Sequence, residues 1–556
     1  MAVCRIKAGK RAWHEVTMNM HYIIIGAGSA GCVLANRLSA DPANQVLLLE
    51  AGGRDINPLL HMPAGLAQLV NNRNVNWAYY TEPQHHLDGR RLYWPRGRVL
   101  GGSSSINAMC YTRGQPQDYD DWVAAGNAGW SYEEVLPYFK RAEHQQHGES
   151  TYHGAVGPLD VEDLRYRNPL TEVFVAAGVA IGFTHNPDFN GERQEGIGFY
   201  QVTQRGGRRC SAAVAYLNPI KSRRNLHVVT SAMVQRIVVK QHRACAVEYQ
   251  HNGQSHSVGC DGEVLLCAGV IGSPQLLMLS GIGPAQQLHE LSIPVVVDLP
   301  GVGANLHDHL DVCTLYKCSK PVSYDFTSMQ RLGVGLRYLF TRNGPGVSNI
   351  AEAGAFIRSR YSSDHRPDIQ LHFVPAQLDD HGRNRLSGHG FTIHACHLQP
   401  RSRGAIRLRA NRAEVPPLIQ PNYLDADMDL DLLVEGVRIS RELANAPPFD
   451  AYRGAEVFPG ATLRTDADIV RFIRTKAETI YHPVGTCRMG QDGNAVVDNQ
   501  LRVAGVNGLR VVDASVMPTL ISGNTNAPTV MIAEKAADLI LRPTAHNANV
   551  SMHSYG

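Results

Sequence analysis

The residues best suited to chemistry lie near the C-terminal end of the chain, in the stretch TIYHPVGTCRMG, Thr479 to Gly490. This stretch places His482 and Cys487 on either side of a Gly-Thr turn. Its residue types fit a thiolate nucleophile with its base, a set of metal ligands, an acid/base histidine, or only a tight loop. Because proline disfavours helical backbone at the preceding residue, Pro483 predicts a rigid, non-helical position for His482.

The nucleophile and metal hypotheses have little support elsewhere in the chain. No third orienting residue accompanies Cys487 and His482. The histidine-rich segments HDH (307–309) and HACH (394–397) lack the spacing of metal ligands, and strand positions 394 and 397 would point to opposite faces. The sequence therefore predicts no metal site, and an acid/base histidine and a tight loop remain open for His482.

Length and composition limit what the protein can be. A chain of 556 residues is too long for one hydrophobic core, so two domains are expected. With 44% hydrophobic residues, 19% charged residues and a net charge of +3, it resembles neither a disordered chain nor a nucleic-acid-binding protein. Its 11 cysteines include no C-x-x-C pair, which favours a reducing compartment. We therefore expect a cytoplasmic protein with a small-molecule substrate, and peripheral contact with the inner membrane stays open.

The elements that could position a reacting site begin with a glycine-rich turn. Apolar runs at 23–25 and 46–49 flank the helical pattern 30–38, which predicts a β-α-β unit. Its turn, Gly26-Ala27-Gly28-Ser29-Ala30-Gly31, is the G-x-G-x-x-G of a dinucleotide site, and Glu50 follows about 20 positions later, where it can accept ribose hydroxyls. Strand, glycines, helix, strand and acid occur in the required order, so this unit predicts nucleotide binding through a helix N-terminus.

Further apolar runs predict strands far apart in the sequence, so each of the two expected domains is assembled from separate segments of the chain. LHVVT, VQRIVVK, ACAVEY, EVLLCAG and LRVVDAS read as strands of the nucleotide sheet. DIQLHFV and FTIHACHL alternate, as expected for an antiparallel sheet beside the substrate. The segment 264–284 reads as strand, turn and a helix starting near Ser273, and not as a membrane span. The predicted fold is α/β (α+β overall), with a Rossmann-like domain over 21–150, 208–310 and 479–541, a substrate domain over 151–207 and 311–478, a disordered tail over 1–20 and a polar tail over 542–556.

Three stretches together resemble the glucose-methanol-choline (GMC) oxidoreductase family: GAGSAGCVLANRL with Glu50, GRVLGGSSSINAMCYTRG, and GVIGSPQLLMLSGIGP. The C-terminal region with YHPVGTCRMG and SGNTNAPTVMIAEKAADLI is similar to the second half of that family. The resemblance implies FAD as the cofactor. Where some members carry the histidine that attaches FAD covalently, this chain has Ile106, so the resemblance implies non-covalent FAD.

The resemblance also implies roles for individual residues. His482 would take the hydroxyl proton of an alcohol and Asn526 would steady the alkoxide, although SGNTNAPT equally predicts a helix start with Asn526 as its N-cap. Val234 would meet the adenine through its backbone, and Asn524 would lie close to the flavin ring. The implied FAD-binding residues are Gly26, Gly28, Ser29, Ala30, Glu50, Ala51, Gly101, Gly102, Asn107, Ala108, Met109, Val234, Ala268, Gly269, Asp513, Ala514, Asn524 and Pro528.

The implied activity is FAD-dependent oxidation of an alcohol, with electrons passing to a quinone or another acceptor. SNIAEAGAFIRS and LHFVPAQLDDHGR resemble the family's bacterial alkanol dehydrogenases, which favours primary aliphatic alcohols. A choline dehydrogenase on the same scaffold, a hydroxynitrile lyase whose FAD does no redox work, and a non-catalytic nucleotide-binding protein stay open. So do the oligomeric state and the choice between oxidase and dehydrogenase.

Overall fold

The computed structural model describes residues 14–384 and 386–542, and its mixed α/β architecture confirms the predicted fold class. The strands are β1 (His14–Ile25), β2 (Val46–Leu49), β3 (Tyr79–Tyr80), β4 (Tyr93–Trp94), β5 (Glu143–Gln145), β6 (Leu159–Val161), β7 (Gly196–Phe199), β8 (Gln204–Arg205), β9 (Arg208–Arg209), β10 (Leu226–Val229), β11 (Ala232–Lys240), β12 (Arg243–His251), β13 (Gln254–Leu266), β14 (Ile282–Gly283), β15 (Val297–Asp298), β16 (Leu310–Cys318), β17 (Ala353–Ile357), β18 (Ile369–Val374), β19 (Gly390–His397), β20 (Ala405–Arg407), β21 (Leu418–Gln420), β22 (Arg453–Phe458), β23 (Glu478–Thr479) and β24 (Leu509–Val511). The α-helices are α1 (Ser29–Leu38), α2 (Pro58–His61), α3 (Leu66–Leu69), α4 (Pro116–Ala124), α5 (Tyr132–Ala142), α6 (Pro169–Ala180), α7 (Gly269–Leu279), α8 (Ala285–Glu290), α9 (Ser328–Thr341), α10 (Asp427–Asn445), α11 (Asp466–Lys476) and α12 (Asn526–Leu541).

The first large sheet contains the glycine-rich turn. Strands β10, β2, β1, β13 and β24 lie side by side and parallel in that order, and β13 continues into an antiparallel ribbon with β12 and β11. The apolar runs of β1, β2 and β13 are buried where they pair, as expected for parallel strands covered on both faces. Helix α1 connects β1 to β2, so the predicted β-α-β unit and the five predicted strands of this sheet are confirmed.

The second large sheet is antiparallel throughout. Its strands run in the order β22, β16, β19, β18, β17, β7, and β23 pairs with β16. The two alternating segments of the sequence are the neighbouring strands β18 and β19, and α10 packs against β16 and β19. Because β23 ends immediately before the 480–485 loop, this sheet positions His482 from one side.

The N-terminal boundary differs from the prediction. Strand β1 begins at His14 and pairs with β13, His14 opposite His256, so residues 14–20 do not belong to a disordered tail. Residues 1–13 and 543–556, which make up the rest of the two predicted tails, lie outside the described residues. The other domain boundaries stay predictions.

Helix α7 also begins earlier than predicted, at Gly269 instead of near Ser273, and it therefore contains Pro274. Proline has no N–H, so the carbonyl of Val270 loses its helical donor. The Thr486 hydroxyl donates to that carbonyl at 2.6 Å, which offsets the loss. Thr486 thus joins the 482–486 loop to this helix. Among the described residues, no helix combines the length and apolar character needed to cross a membrane.

Candidate active site

A cavity of about 840 Å³ connects the two sheets. Its volume lies near the upper end of the ~300–1,000 Å³ usual for ligand sites. Its walls include the β1–α1 turn, the 102–110 loop, the start of α7, strands β16, β18 and β19, and the loop that carries His482. The cavity therefore has room for a large cofactor at one end and a small molecule beside it.

Hydrogen bonds to the 305–309 segment, which contains the tripeptide HDH, fix the position of His482 and of the loop that carries it. The backbones of His307 and Val484 pair at 2.9 and 3.1 Å. One carboxylate oxygen of Asp308 accepts the backbone N–H of His482 at 2.9 Å, and the other accepts the hydroxyls of Thr479, at 2.6 Å, and of Tyr423. This buried carboxylate thereby fixes the start of the base-carrying loop.

The hydrogen bonds of His309 determine which nitrogen of His482 is unprotonated. His309 Nε2 lies 3.0 Å from the carbonyl oxygen of Leu398 and must donate to it, because a carbonyl only accepts. Burial lowers the pKa of His309 to about 3, so its other nitrogen, Nδ1, is an acceptor. His482 Nδ1 lies 3.0 Å from it and must donate. Burial, followed by the neighbouring His309, His372 and Arg96, holds the pKa of His482 well below its ordinary value, so His482 is neutral and its Nε2 is an unprotonated acceptor.

The amide that meets this acceptor belongs to Asn524. Asn524 Nδ2 lies 3.0 Å from His482 Nε2, and Asn524 Oδ1 accepts from Thr112 Oγ1 at 3.2 Å and Gln370 Nε2 at 3.1 Å. These two donors fix the amide orientation, so its N–H group faces the base. A base with a bare nitrogen and an amide donor therefore meet at the cavity wall.

In the structure the Asn526 side chain hydrogen-bonds to Ser29, and its predicted role in steadying the alkoxide stays a prediction. Its Oδ1 accepts from the Ser29 hydroxyl at 2.7 Å, at the β1–α1 turn. Helix α12 begins at Asn526 with Thr525 as its N-cap residue, so the predicted N-cap is also displaced by one position. Because the first helical turn directs Asn526 toward α1, the amide two residues earlier is the one that reaches His482.

The glycine turn and Glu50 form the nucleotide end of the cavity. Gly26 has φ +102°, and a Cβ added at Gly102 would lie 2.7 Å from Gly28 Cα, so the two glycine loops approach backbone to backbone. Glu50 accepts the backbone N–H groups of Ala27 at 2.9 Å and Gly52 at 2.8 Å, and burial raises its pKa to about 7. The remaining lone pairs of its carboxylate fit ribose hydroxyls.

Arg96 gives a second indication of a large polar ligand. Its guanidinium lines the cavity and is buried, and its Nε and Nη2 have no hydrogen-bond partner among the described residues. Buried polar groups are nearly always satisfied, so these nitrogens indicate a missing acceptor. The glycine cradle, Glu50 and Arg96 together fit a dinucleotide with a polar ring system, as FAD has.

Most of the predicted site residues line this one cavity. Gly101 and Pro528 do not: the Gly101 N–H supports the turn by donating to Ala27 at 2.8 Å, and Pro528 is buried in the first turn of α12. The residues that do line the cavity are Gly26, Gly28, Ser29, Ala30, Glu50, Ala51, Gly102, Asn107, Ala108, Met109, Val234, Ala268, Gly269, His482, Asp513, Ala514, Asn524 and Asn526.

Sequence reasoning missed Asp308, His309 and Arg96. From the sequence alone, HDH (307–309) is considered only as a set of metal ligands. Its position immediately before strand β16 could have indicated that these side chains lie at the end of a buried strand, beside the site. Cys487 is buried, and burial raises the pKa of its thiol well above the ordinary range, which agrees with a packing role. Thr486 was interpreted as part of a turn, but its hydroxyl has a helical carbonyl as partner.

The opposite wall carries a polar cluster that the spacing of the sequence did not predict. Asp311, Cys313 and His394 converge from the neighbouring strands β16 and β19. Beside them, Asp380 and His381 of a short 3-10 turn meet Glu478 of β23. His394 Nδ1 lies 2.6 Å from Asp311 Oδ2, which is a hydrogen-bond distance. The cluster therefore makes one side of the cavity polar.

Five non-glycine residues of the cavity wall have left-handed backbone: Met109 (φ 59°), Ile350 (φ 72°), Asp380 (φ 48°), His381 (φ 55°) and Tyr481 (φ 73°). This conformation is costly for β-branched and bulky residues. Tyr481 immediately precedes His482, so the surrounding contacts hold the base-carrying loop in a strained shape, as often occurs at functional sites.

Comparisons with known proteins identify the family of the chain. Sequence models of GMC oxidoreductases match residues 20–311 and 400–533. The chain is 49% identical to "Alcohol dehydrogenase [acceptor]" of Pseudomonas putida over 94% of this chain and 95% of that protein. It is 46% identical to the mitochondrial choline dehydrogenase of Homo sapiens over 93% and 89% of the two chains.

Solved structures show the same architecture. The crystal structure of pyridoxine 4-oxidase from "Mesorbium loti" superposes with a TM-score of 0.86 at 33% identity and covers 93% of this chain and 98% of that chain. A formate oxidase of Aspergillus oryzae, studied for its FAD modification, gives a TM-score of 0.89 at 26% identity and covers 94% of this chain and 98% of that chain. With two family models that together match most of its length, this chain belongs to the GMC oxidoreductase family.

Proposed function

We propose that the protein is an FAD-dependent alcohol dehydrogenase that oxidises a primary aliphatic alcohol to its aldehyde and passes the electrons to a quinone or another acceptor. The observation that carries the proposal is the pair formed by the bare Nε2 of neutral His482 and the Asn524 amide, 3.0 Å apart on the wall of a cavity suited to FAD. The Pseudomonas putida relative, named an alcohol dehydrogenase, supports it.

The residues of the chain divide the work of alcohol oxidation. His482 Nε2 takes the hydroxyl proton, and such a positioned base typically contributes about 10²- to 10⁴-fold. When an alcohol binds, its oxygen replaces His482 Nε2 as the acceptor of the Asn524 N–H group, which then stabilises the developing alkoxide without competing for its proton. Arg96 adds a buried positive charge nearby. The bound FAD supplies the hydride acceptor. His309 acts through His482 by fixing its tautomer.

The proposed cofactor is non-covalent FAD. Ile106 lines the cavity immediately before Asn107, and an isoleucine offers no group to bond to flavin. The glycine loops, Glu50 and the Ser29–Asn526 contact would hold the nucleotide part by hydrogen bonds. Acid precipitation is expected to leave a colourless pellet and a yellow supernatant. A yellow pellet would contradict the non-covalent assignment.

Apolar side chains along the cavity, including Met62, Leu66, Val70 and Val374, support an aliphatic substrate. Choline is the second candidate, because the cavity also contains the carboxylate of Asp311, whose Oδ1 is buried without a partner among the described residues. The choline dehydrogenases that share 46% identity support this alternative.

An anaerobic substrate panel tests these possibilities. The purified yellow protein is mixed with hexan-1-ol, with choline or with a cyanohydrin, and the flavin absorbance is followed. We expect hexan-1-ol to bleach the flavin. Bleaching by choline alone would favour the choline enzyme, and cyanide release without bleaching would favour a hydroxynitrile lyase. A protein that binds FAD and responds to none of them would contradict the proposal.

A further inference from the structure

Helix α9 exposes an unusually apolar face. Met329, Leu332, Leu336, Leu339 and Phe340 are 84%, 64%, 48%, 59% and 79% exposed. Their spacing of three, four and seven positions places them on one side of the helix. Isolated exposed apolar residues are ordinary, but a contiguous set marks a contact surface. We call these five residues the α9 apolar face.

The opposite side of α9 fastens the helix to the protein. Tyr338 is buried, its hydroxyl donates to the carbonyl oxygen of His61 at 3.1 Å, and the Arg342 guanidinium lies 4.4 Å from the centre of its ring. The Thr327 side chain caps the helix N-terminus and forms a capping box with Gln330. The helix is thus formed and anchored without any use of the α9 apolar face.

The charges around α9 are mainly positive. Arg331, Arg337 and Arg342 belong to the helix or its C-terminal cap, and Arg208 lies close enough to influence the pKa of Tyr338. None of these four arginines forms an ion pair with a carboxylate of the described residues. Arg331 lines the cavity and Arg342 packs on Tyr338, so the exposed Arg208 and Arg337 are the two of this set available to an outside partner. An apolar helix face with such arginines near it is typical of a helix that lies in a membrane interface.

Helix α9 also borders the cavity. Arg331 and Val334 line it, together with Tyr324 and Phe326 of the preceding segment. The α9 apolar face therefore lies next to one wall of the substrate and cofactor cavity.

We propose that α9 docks the protein onto a bilayer that contains anionic phospholipids, with the α9 apolar face in the headgroup region and the arginines against lipid phosphates. A second copy of the chain fits less well, because a two-fold contact through α9 would bring like charges together. Docking would place the cavity beside the lipid, where apolar alcohols and lipid-soluble acceptors concentrate. The docking itself does not depend on the proposed reaction.

Vesicle sedimentation with the FAD-loaded full chain tests the surface. The protein is mixed with vesicles of phosphatidylcholine alone or with added phosphatidylglycerol. We expect wild type to sediment with the mixed vesicles, and Leu332→Ser/Leu336→Ser/Phe340→Ser to lower the partition coefficient by roughly tenfold or more. Val156→Ser, at a valine that is 95% exposed elsewhere, is the matched control and should bind like wild type. Flavin content and dye reduction in solution should stay unchanged in all variants.

Charge is tested separately with Arg208→Gln/Arg337→Gln, which removes two exposed arginines. Because each arginine near an anionic surface contributes about 1 kcal/mol, the pair should lower binding to the mixed vesicles by roughly thirtyfold, and added salt should weaken the binding of wild type. Wild type that binds neither vesicle would overturn the proposal, as would a triple serine variant that binds fully. A wild-type dimer that the triple variant converts to a monomer, without vesicle binding, would assign the face to a second copy instead.

Discussion

His482 and Asn524 are ordinary residues whose surroundings give them different tasks. Burial and the hydrogen bond to His309 keep one nitrogen of His482 bare, whereas Thr112 and Gln370 turn the Asn524 N–H group toward it. The same two residue types on an exposed loop would have neither property. The chemistry at this scale depends on which hydrogen-bond roles the neighbours have already taken.

Two asparagine variants separate catalysis from cofactor retention. Asn524→Ala should retain FAD and slow anaerobic flavin reduction by about 10²- to 10³-fold, because it removes a donor to the alkoxide. Asn526→Ala removes the acceptor of the Ser29 hydroxyl, so it should lower FAD content and leave the reduction rate of the bound flavin within a few-fold of wild type. Stopped-flow absorbance measures the rates of flavin reduction. Absorbance spectra of the denatured proteins measure the FAD content. The account is wrong if Asn526→Ala slows reduction as much as Asn524→Ala.

At the scale of elements, the 482–486 loop is held by contacts to helix α7 and to the 305–309 segment. Thr486→Val leaves the Val270 carbonyl without a donor and should lower the free energy of unfolding by about 1–3 kcal/mol. Pro274→Ala restores an N–H at the position that normally donates to that carbonyl. Thr486→Val should therefore lower the free energy of unfolding less in the Pro274→Ala protein than in wild type. Urea unfolding of the four proteins checks the cycle. If Thr486→Val lowered the free energy of unfolding equally with Pro274 and with Ala at that position, the hydrogen bond between Thr486 and the Val270 carbonyl would not have the proposed role.

Strand β23 gives the protein a pH dependence. Burial, and next the negative charge of Asp380, raise the pKa of Glu478 to about 8, above the ordinary value of about 4.3. The folded protein therefore holds this proton more tightly than the unfolded chain. The resulting stability is complete below about pH 4.3 and is lost as the pH rises through 8.

We therefore expect wild type to lose free energy of unfolding relative to Glu478→Gln between pH 5 and 8, because glutamine does not ionise. Thermal melts of both proteins across this range measure the difference. A difference that stays constant, or that grows in favour of wild type as the pH rises, would show that Glu478 does not have the raised pKa.

The features of these elements that the sequence predicts correctly are those that depend on residues close together in the chain. The β-α-β unit, its glycines and the alternating strands follow from short-range periodicity. The start of α7 was misplaced because Pro274 suggested a helix boundary, and only a distant threonine shows why the helix tolerates it. The choice between Asn524 and Asn526 depends on where α12 begins, and the role of HDH depends on backbone pairing between segments far apart in sequence.

At the scale of the whole molecule, the residues that line the cavity extend from Ile25, near one end of the described chain, to Thr529, near the other. Bound FAD should therefore stabilise both sheets together. We expect flavin release, followed by fluorescence, to coincide with the loss of circular dichroism on heating.

Added FAD should raise the common midpoint, since a ligand at 100 times its Kd contributes about 2.7 kcal/mol. Glu50→Gln should weaken this effect, because a neutral amide is a poorer acceptor for ribose hydroxyls. Flavin release that is complete well below the loss of circular dichroism would contradict the coupling between cofactor and fold.

The central claim, that His482 is the base for alcohol oxidation by bound FAD, is tested most directly by anaerobic stopped-flow reduction of wild type and His482→Ala with one primary alcohol. We expect equal FAD content and a reduction rate that falls by about 10²- to 10⁴-fold in the variant. A variant that retains FAD and is reduced as fast as wild type would contradict it.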